Sequence, residues 1–272
     1  MLGLAWLITG CDSGPKFCTE HYSNGQVKYS VQCDPATGDY MGLMKEYHRN
    51  GELWKTRYFD EGKENDTTYF FYSKTGDIFR KLPMQNGEKH GLAQSFHPDG
   101  TLKQSGRYQF NRKEGEHISF YSNGEMESRI VFEGGTEVGV RTDFFKNGAV
   151  KFRGEFKDGE RHGVWKYYDR SGNSLAEFTF RNGQRMGPFS IFRPNGKMYL
   201  MGSYTLGMID SELHYFTVNG SKFATEDWRM GENQDYDAIK GLKQSYEEDF
   251  QKFYVHLDKV FISVKGDDIK IK

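Results

Sequence analysis

The sequence predicts a mainly β protein: an elongated single-sheet array of about nine 24-residue β-hairpin repeats, followed by a C-terminal amphipathic helix. The first observation behind this is a glycine at one phase: Gly25, Gly51, Gly76, Gly100, Gly124, Gly148, Gly172, Gly196 and Gly220. The spacing settles to 24 after two longer intervals. A fixed period of that size means stacked copies of one small supersecondary unit. The second observation is an aromatic row four places before the glycine: Tyr47, Tyr72, Phe96, Phe120, Phe144, Tyr168, Phe192 and Phe216. The third is alternation. Val150, Phe152, Gly154 and Phe156 fall on one face of a strand, and Lys151, Arg153, Glu155 and Lys157 on the other.

Each unit then reads as strand, turn, strand, turn. Most of the phased glycines follow Asn or Asp, while Thr75 and Ser171 fill that slot before Gly76 and Gly172. Asn-Gly and Asp-Gly tolerate the positive φ that a tight hairpin turn needs. A second glycine pair closes the unit, as in Gly87-x3-Gly91, Gly135-x3-Gly139, Gly159-x3-Gly163 and Gly183-x3-Gly187. A lone hairpin of this size buries too little surface to fold, whereas stacked hairpins share one core. With strands about 4.8 Å apart, nine copies extend over a length on the order of 85 Å. A helical array is disfavoured, because glycine is 32 of 272 residues and costs about 1 kcal/mol at each helix-interior position.

The segment Gly154-Glu155-Phe156-Lys157-Asp158-Gly159-Glu160-Arg161-His162-Gly163-Val164-Trp165 resembles a MORN repeat (membrane occupation and recognition nexus). Asn86-Gly87-Glu88-Lys89-His90-Gly91 repeats its core, and Asn182-Gly183-Gln184-Arg185-Met186-Gly187 does so with Met in place of His. The nearest variant group is the bacterial YwqK-like antitoxin-type repeat. The pattern departs at Asn111–Gly115, which lacks the first glycine, and at Gly207–Ser211, which lacks the second. The resemblance implies a hairpin fold and a binding role, since family members include scaffolds and dimerisation modules.

Three segments follow from this reading: 1–19 as a lipoprotein-type signal and linker, 20–221 as the repeat array, and 222–272 as a C-terminal cap with helix and terminal hairpin. Leu7-Ile8-Thr9-Gly10-Cys11 resembles a bacterial lipobox, in which Cys11 carries lipid. No Lys or Arg precedes the apolar stretch, unlike a usual secretory n-region. A buried N-terminal strand is the alternative. Export would make Cys18 and Cys33, which flank the first turn, a possible disulfide; two unpaired buried thiols are the other reading. In the cap, Tyr236, Ile239, Leu242, Tyr246, Phe250, Phe253, Tyr254 and Leu257 recur at helical spacing. The helix serves either to cap the sheet edge or to bind a partner. Val260–Val264 and Ile269–Ile271 suit a terminal hairpin.

Charge is balanced at 37 basic against 38 acidic residues, which gives no basic footprint for nucleic acid. No nucleophile-elbow, zinc-protease, phosphate-loop or Cys-x2-Cys motif occurs. His90 and His162 fill one turn slot that Glu114, Val138 and Met186 fill elsewhere, which argues against metal or catalytic roles. The expected protein is therefore not an enzyme, with no catalytic, cofactor or metal residues. It reads as a lipid-anchored interaction scaffold of the bacterial cell envelope, with a protein partner not named by the sequence and a membrane contact through its lipid. A wall- or glycan-binding repeat module is the alternative, and the antitoxin label is a third. Tyr121 and Phe145 sit three places before their turn glycines and are the candidate partner-binding pair. The competing reading packs both under neighbouring side chains.

Overall fold

The computed structural model describes residues 16–233. These are all-β, without helix, so the expectation of a sheet plus helix is corrected to an all-β fold. Regular pairing continues past Gly220 because the last hairpin still alternates, with Ala224, Glu226 and Trp228 on one face. The helix expected from Asn233 or Asp235 to Leu257 and the hairpin beyond it lie outside the described residues, as do the signal segment and Cys11.

The chain divides into two units, Met1–Gly124 with Phe132–Gly135, and Glu125–Val131 with Thr136–Lys272. The first contains β1 (Lys16–His21), β2 (Val27–Cys33), β3 (Tyr40–Tyr47), β4 (Leu53–Asp60), β5 (Lys63–Phe71), β6 (Ile78–Gln85), β7 (Glu88–Lys89), β8 (Gly91–Phe96), β9 (Leu102–Gln109) and β10 (Arg112–Phe120). They form an antiparallel meander from β1 to β6, continued through β8 to β10, with the short β7 also on β6. β11 (Met126–Glu133) is divided between the units. The second unit contains β12 (Thr136–Phe144), β13 (Val150–Lys157), β14 (Glu160–Tyr168), β15 (Ser174–Arg181), β16 (Gln184–Phe192), β17 (Met198–Thr205), β18 (Met208–Ile209), β19 (Ser211–Phe216), β20 (Lys222–Arg229) and β21 (Glu232–Asn233). These form a second antiparallel meander, with β18 also on β17.

Two turn types alternate, and the phased glycines take the positive φ expected of them. At the phased glycines only the glycine has positive φ, for example 84° at Gly25 and 81° at Gly148. Gly148 N–H bonds back to the Phe145 carbonyl, and Phe145 N–H to the Ala149 carbonyl. This is a type I turn closed by a glycine bulge. The preceding Asn or Asp keeps ordinary φ and instead accepts the N–H two residues on, as Asn24, Asn50, Asp99, Asn147 and Asn195 all do. Such Asx turns explain the residue choice. The other turns, apart from the longer Asp34–Asp39 turn, carry positive φ at both central residues, as at Asn86-Gly87, Asp158-Gly159 and Asn182-Gly183. That is the type I′ hairpin. Asn111, at φ 66°, replaces the glycine missing from its copy.

The type I′ turns also stitch the hairpins together. Gly87 N–H bonds to the Glu64 carbonyl at 2.7 Å, Gly159 to Glu137 at 3.1 Å, Gly183 to Arg161 at 3.1 Å and Gly207 to Arg185 at 3.0 Å. Each bond reaches back one hairpin and satisfies a turn donor that would otherwise face water.

Packing follows one face of each meander. In the first unit Val31, Cys33, Met44 and Phe59 are buried with Cys18, Tyr29 and Tyr40 against them. In the second, Trp165, Tyr167, Ala176, Phe178, Phe180, Phe189, Tyr199, Leu213 and Tyr215 form an aromatic core. Phe152 and Phe156 pack on Trp165, with ring centroids 5.7 and 5.2 Å away. Gly154 lies directly under the Trp165 ring, where a Cβ would collide with it. Gly106 under His117 and Gly202 under Leu213 repeat the device. A missing side chain on one strand thus makes room for a large one on the next.

Candidate interaction surface

The residue three places before each phased glycine occupies a definite row. Tyr22 Oη donates to the Tyr47 carbonyl at 2.9 Å, His97 Nε2 lies 3.0 Å from the Phe120 carbonyl, and Arg193 Nη2 donates to the Phe216 carbonyl at 3.0 Å. Each acceptor belongs to the aromatic row of the next repeat. Tyr121 and Phe145 stand in this same row, Tyr121 in the first unit and Phe145 in the second. Both are half-buried. Phe145 has no side-chain donor, and its ring instead meets Arg170 at 5.9 Å and Lys151 at 6.0 Å. The polar donors recurring in this slot were the available sequence signal for a row that joins hairpins.

Cys18 on β1 and Cys33 at the end of β2 are joined by a disulfide with Cα atoms 5.8 Å apart. They are diagonal neighbours, since Cys18 stands opposite Val31 and Cys33 opposite Lys16. Cys33 is buried in the first unit's core.

The opposite face of the same strands carries apolar side chains in the open. Phe17 stands opposite Gln32, Gln32 opposite Met41, and Leu43 opposite Tyr58. Phe17 is 61% exposed, Met41 40%, Leu43 53% and Tyr58 44%. Trp54 shares the face by its even spacing from Tyr58. Singly exposed apolar residues are ordinary, but a contiguous set marks an interaction surface. The alternation Met41, Leu43 was visible in the sequence, but which parity faced outward was not.

A trough of about 330 Å3 opens on the first unit, lined among others by Tyr72, Phe79, Phe96, Gln104, Tyr108 and His117. The His117 Nε2–H donates to the Arg107 carbonyl at 2.8 Å. Burial holds its imidazole below the ordinary range, and Lys113 adds to the effect, against the Arg107 hydrogen bond. The unfolded histidine takes up a proton near its ordinary value of about 6.5, while the folded one resists. Folding stability from this group is therefore present above about pH 6.5 and is lost as pH falls towards the lower, folded value. His117→Gln is expected to reduce that loss, measured as unfolding free energy against pH beside the parent protein. An unchanged pH dependence would place the acid sensitivity elsewhere.

No group of three His, Cys, Asp or Glu among the described residues could hold a metal ion. His90 packs against the Phe110 ring at 5.0 Å, and His162 is half-buried. No helix among the described residues is long and apolar enough to cross a membrane.

Comparison with known proteins follows the repeat. None of the curated proteins matches the chain. Among solved structures, a chain of the TcdB2-TccC3-Cdc42 crystal structure is 10% identical, with 79% of this chain and 14% of that chain covered at TM-score 0.19. A porin-like protein from Bacteroides uniformis ATCC 8492 is 8% identical, covering 80% and 91% at TM-score 0.18. A protein with unknown function from Bacteroides fragilis NCTC 9343 is 9% identical, covering 71% and 96% at TM-score 0.11. Scores this low do not establish a shared fold. The MORN repeat variant model matches residues 42–61, 89–109, 113–133 and 161–182, less than half of the chain. Each segment spans two consecutive strands and the phased-glycine turn between them, at Gly51, Gly100, Gly124 and Gly172. The chain thus carries the MORN repeat variant at four positions within its hairpins.

Proposed function

We propose that the chain is a non-enzymatic scaffold for protein–protein interaction, held at the bacterial cell envelope by lipid on Cys11. The observation that carries the binding role is the apolar face of Met41, Leu43 and Tyr58, left exposed on the adjacent strands β3 and β4 of the first unit, with Phe17 beyond Gln32 on β1. The MORN repeat matches support an interaction module, and the Cys18–Cys33 disulfide fits an oxidising compartment. Replacing Met41, Leu43 and Tyr58 together with serine is expected to abolish cross-linked capture of a membrane protein. Because the three are exposed, thermal stability should change little. Unchanged capture by the variant would reject this face. Cys11→Ser is expected to move the protein from the detergent phase to the aqueous phase; equal partitioning of both forms would reject the anchor.

The aromatic and amide lining of the trough favours a second reading, glycan binding. Tyr108→Ala is then expected to weaken sedimentation with purified cell wall. Under the scaffold reading it would not.

A further inference from the structure

The position two residues after each type I′ turn glycine lies on the packed face of its meander. It is Glu64 and Lys89 in the first unit, and Glu137, Arg161, Arg185 and Ile209 in the second. Where this position is Glu, an arginine of the same face answers it. Arg57 pairs with Glu46 and lies 3.6 Å from Glu64. Arg141 lies 2.9 Å from Asp143 and 3.7 Å from Glu137. Both guanidiniums also sit over a ring, Arg57 at 5.2 Å from Phe59 and Arg141 at 5.5 Å from Phe152. A recurring unit of this chain is therefore an arginine held on an aromatic face with its fork on carboxylates.

Two further copies have the first half of that unit without the second. Arg161 lies over Trp165 at 4.7 Å and Phe180 at 5.4 Å. Arg185 lies over Phe178 at 4.8 Å and Tyr204 at 5.5 Å. Neither has a carboxylate partner among the described residues. They belong to β14 and β16, with Phe178 and Phe180 on the strand between. Residues two strands apart stand about 9–10 Å from each other. Stacking fixes each guanidinium plane; Arg185 gives one N–H to the Tyr204 hydroxyl, and the remaining N–H edges of both are left for an anion.

A third group adjoins them: Tyr167 packs on Phe178, the ring that Arg185 covers, with centroids 6.0 Å apart. Tyr167 is 4% exposed, and its hydroxyl is buried without a hydrogen-bond partner among the described residues. Burial raises the Tyr167 hydroxyl above its ordinary range, and the positive charges of Arg161 and Arg185 pull it back, so both guanidiniums act on this oxygen. An orphaned buried hydroxyl is costly unless something supplies its partner.

We propose that Arg161 and Arg185 form a receptor for two carboxylates of an acidic peptide segment, with the Tyr167 hydroxyl as an added donor. This rests on the reading of the chain as an interaction module and gives the partner's chemistry. Carboxylate is chosen over other anions because two other ring-held arginines of this chain, Arg57 and Arg141, which stand at different repeat positions, hold carboxylates within it. The segment has two possible sources, a separate protein or the chain's own acidic run Glu247-Glu248-Asp249, which lies outside the described residues.

The experiment uses the full chain and a dye-labelled hexaglutamate peptide, read by fluorescence polarisation at fixed ionic strength. A second full-length protein carries Glu247→Gln, Glu248→Gln and Asp249→Asn. Binding by the parent chain assigns the site to an external acidic segment. Binding only after the acidic run is neutralised assigns it to the chain's own tail. In whichever protein binds, Arg161→Met with Arg185→Met is expected to weaken affinity at least about tenfold, as for loss of charge-assisted hydrogen bonds. The methionines keep the apolar cover over the rings. If that pair fails to fold, Arg161→Lys with Arg185→Lys keeps the charge, loses the fork, and should still weaken binding several-fold. The proposal is overturned if neither protein binds the peptide, or if the folded arginine variants bind as the parent does. The apolar-face test above touches neither arginine, so the two proposals fail separately.

Discussion

Trp165→Ala is expected to destabilise the second unit by about 3–5 kcal/mol, the range for emptying a large aromatic from a packed core. Trp165 is 1% exposed. Its ring contacts Phe152, Phe156 and Phe180, and Arg161 covers it at 4.7 Å. Its Nε1–H donates to the Glu155 carbonyl at 3.2 Å. Gly154 provides no atoms to collapse into the space left behind. The loss should stay within neighbouring hairpins, because repeat arrays couple mainly to their nearest copies. Denaturant unfolding followed by circular dichroism measures it, as an early transition for the second unit. A shift below about 1 kcal/mol would mean that the ring is not the centre of this core. Gly154→Ala should then be tolerated in the Trp165→Ala background and not in the parent, since the three atoms nearest an added methyl all belong to that ring.

Reducing the Cys18–Cys33 disulfide is expected to cost the N-terminal hairpin about 3 kcal/mol, from the chain-entropy estimate for a loop of about 15 residues. β1 pairs with β2, has no other described partner strand, and is almost wholly exposed. It therefore depends on the cross-link more than interior strands do. Mass spectrometry after alkylation should find both thiols blocked before reduction and both labelled after it. Hydrogen exchange over 16–33 should rise on reduction while β12 to β20 stays unchanged. Free thiols in freshly isolated, unreduced protein would contradict the bridge.

The 24-residue period and the alternation on β13 were legible because both are local. The turn mechanism was not. Positive φ at the phased glycine was expected and is found, but the part played by the Asn before it, whose side chain accepts an N–H, was not foreseen. The type I′ turns fell at the other glycine pair. The fit of Gly154 to Trp165 needs the strand register, which residue types alone do not reveal. Arg161 and Arg185 lie on the packed face because Phe156 and Phe180 are their cross-strand partners, a placement that needs the register. Tyr121 and Phe145 were chosen for their phase as projecting aromatics. Their phase places them in the half-buried row that in other copies links one hairpin to the next.

The open faces proposed for binding exist only if successive hairpins are stitched into sheets, and residue-resolved hydrogen exchange on the intact chain tests that. The amides of Gly62, Gly87, Gly159, Gly183 and Gly207 sit at turns yet donate to the hairpin before them. They are expected to exchange slowly, at rates close to those of the interior strands. Free-chain exchange at these glycines, with protection confined to single hairpins, would contradict the stitched sheet and the surfaces built on it.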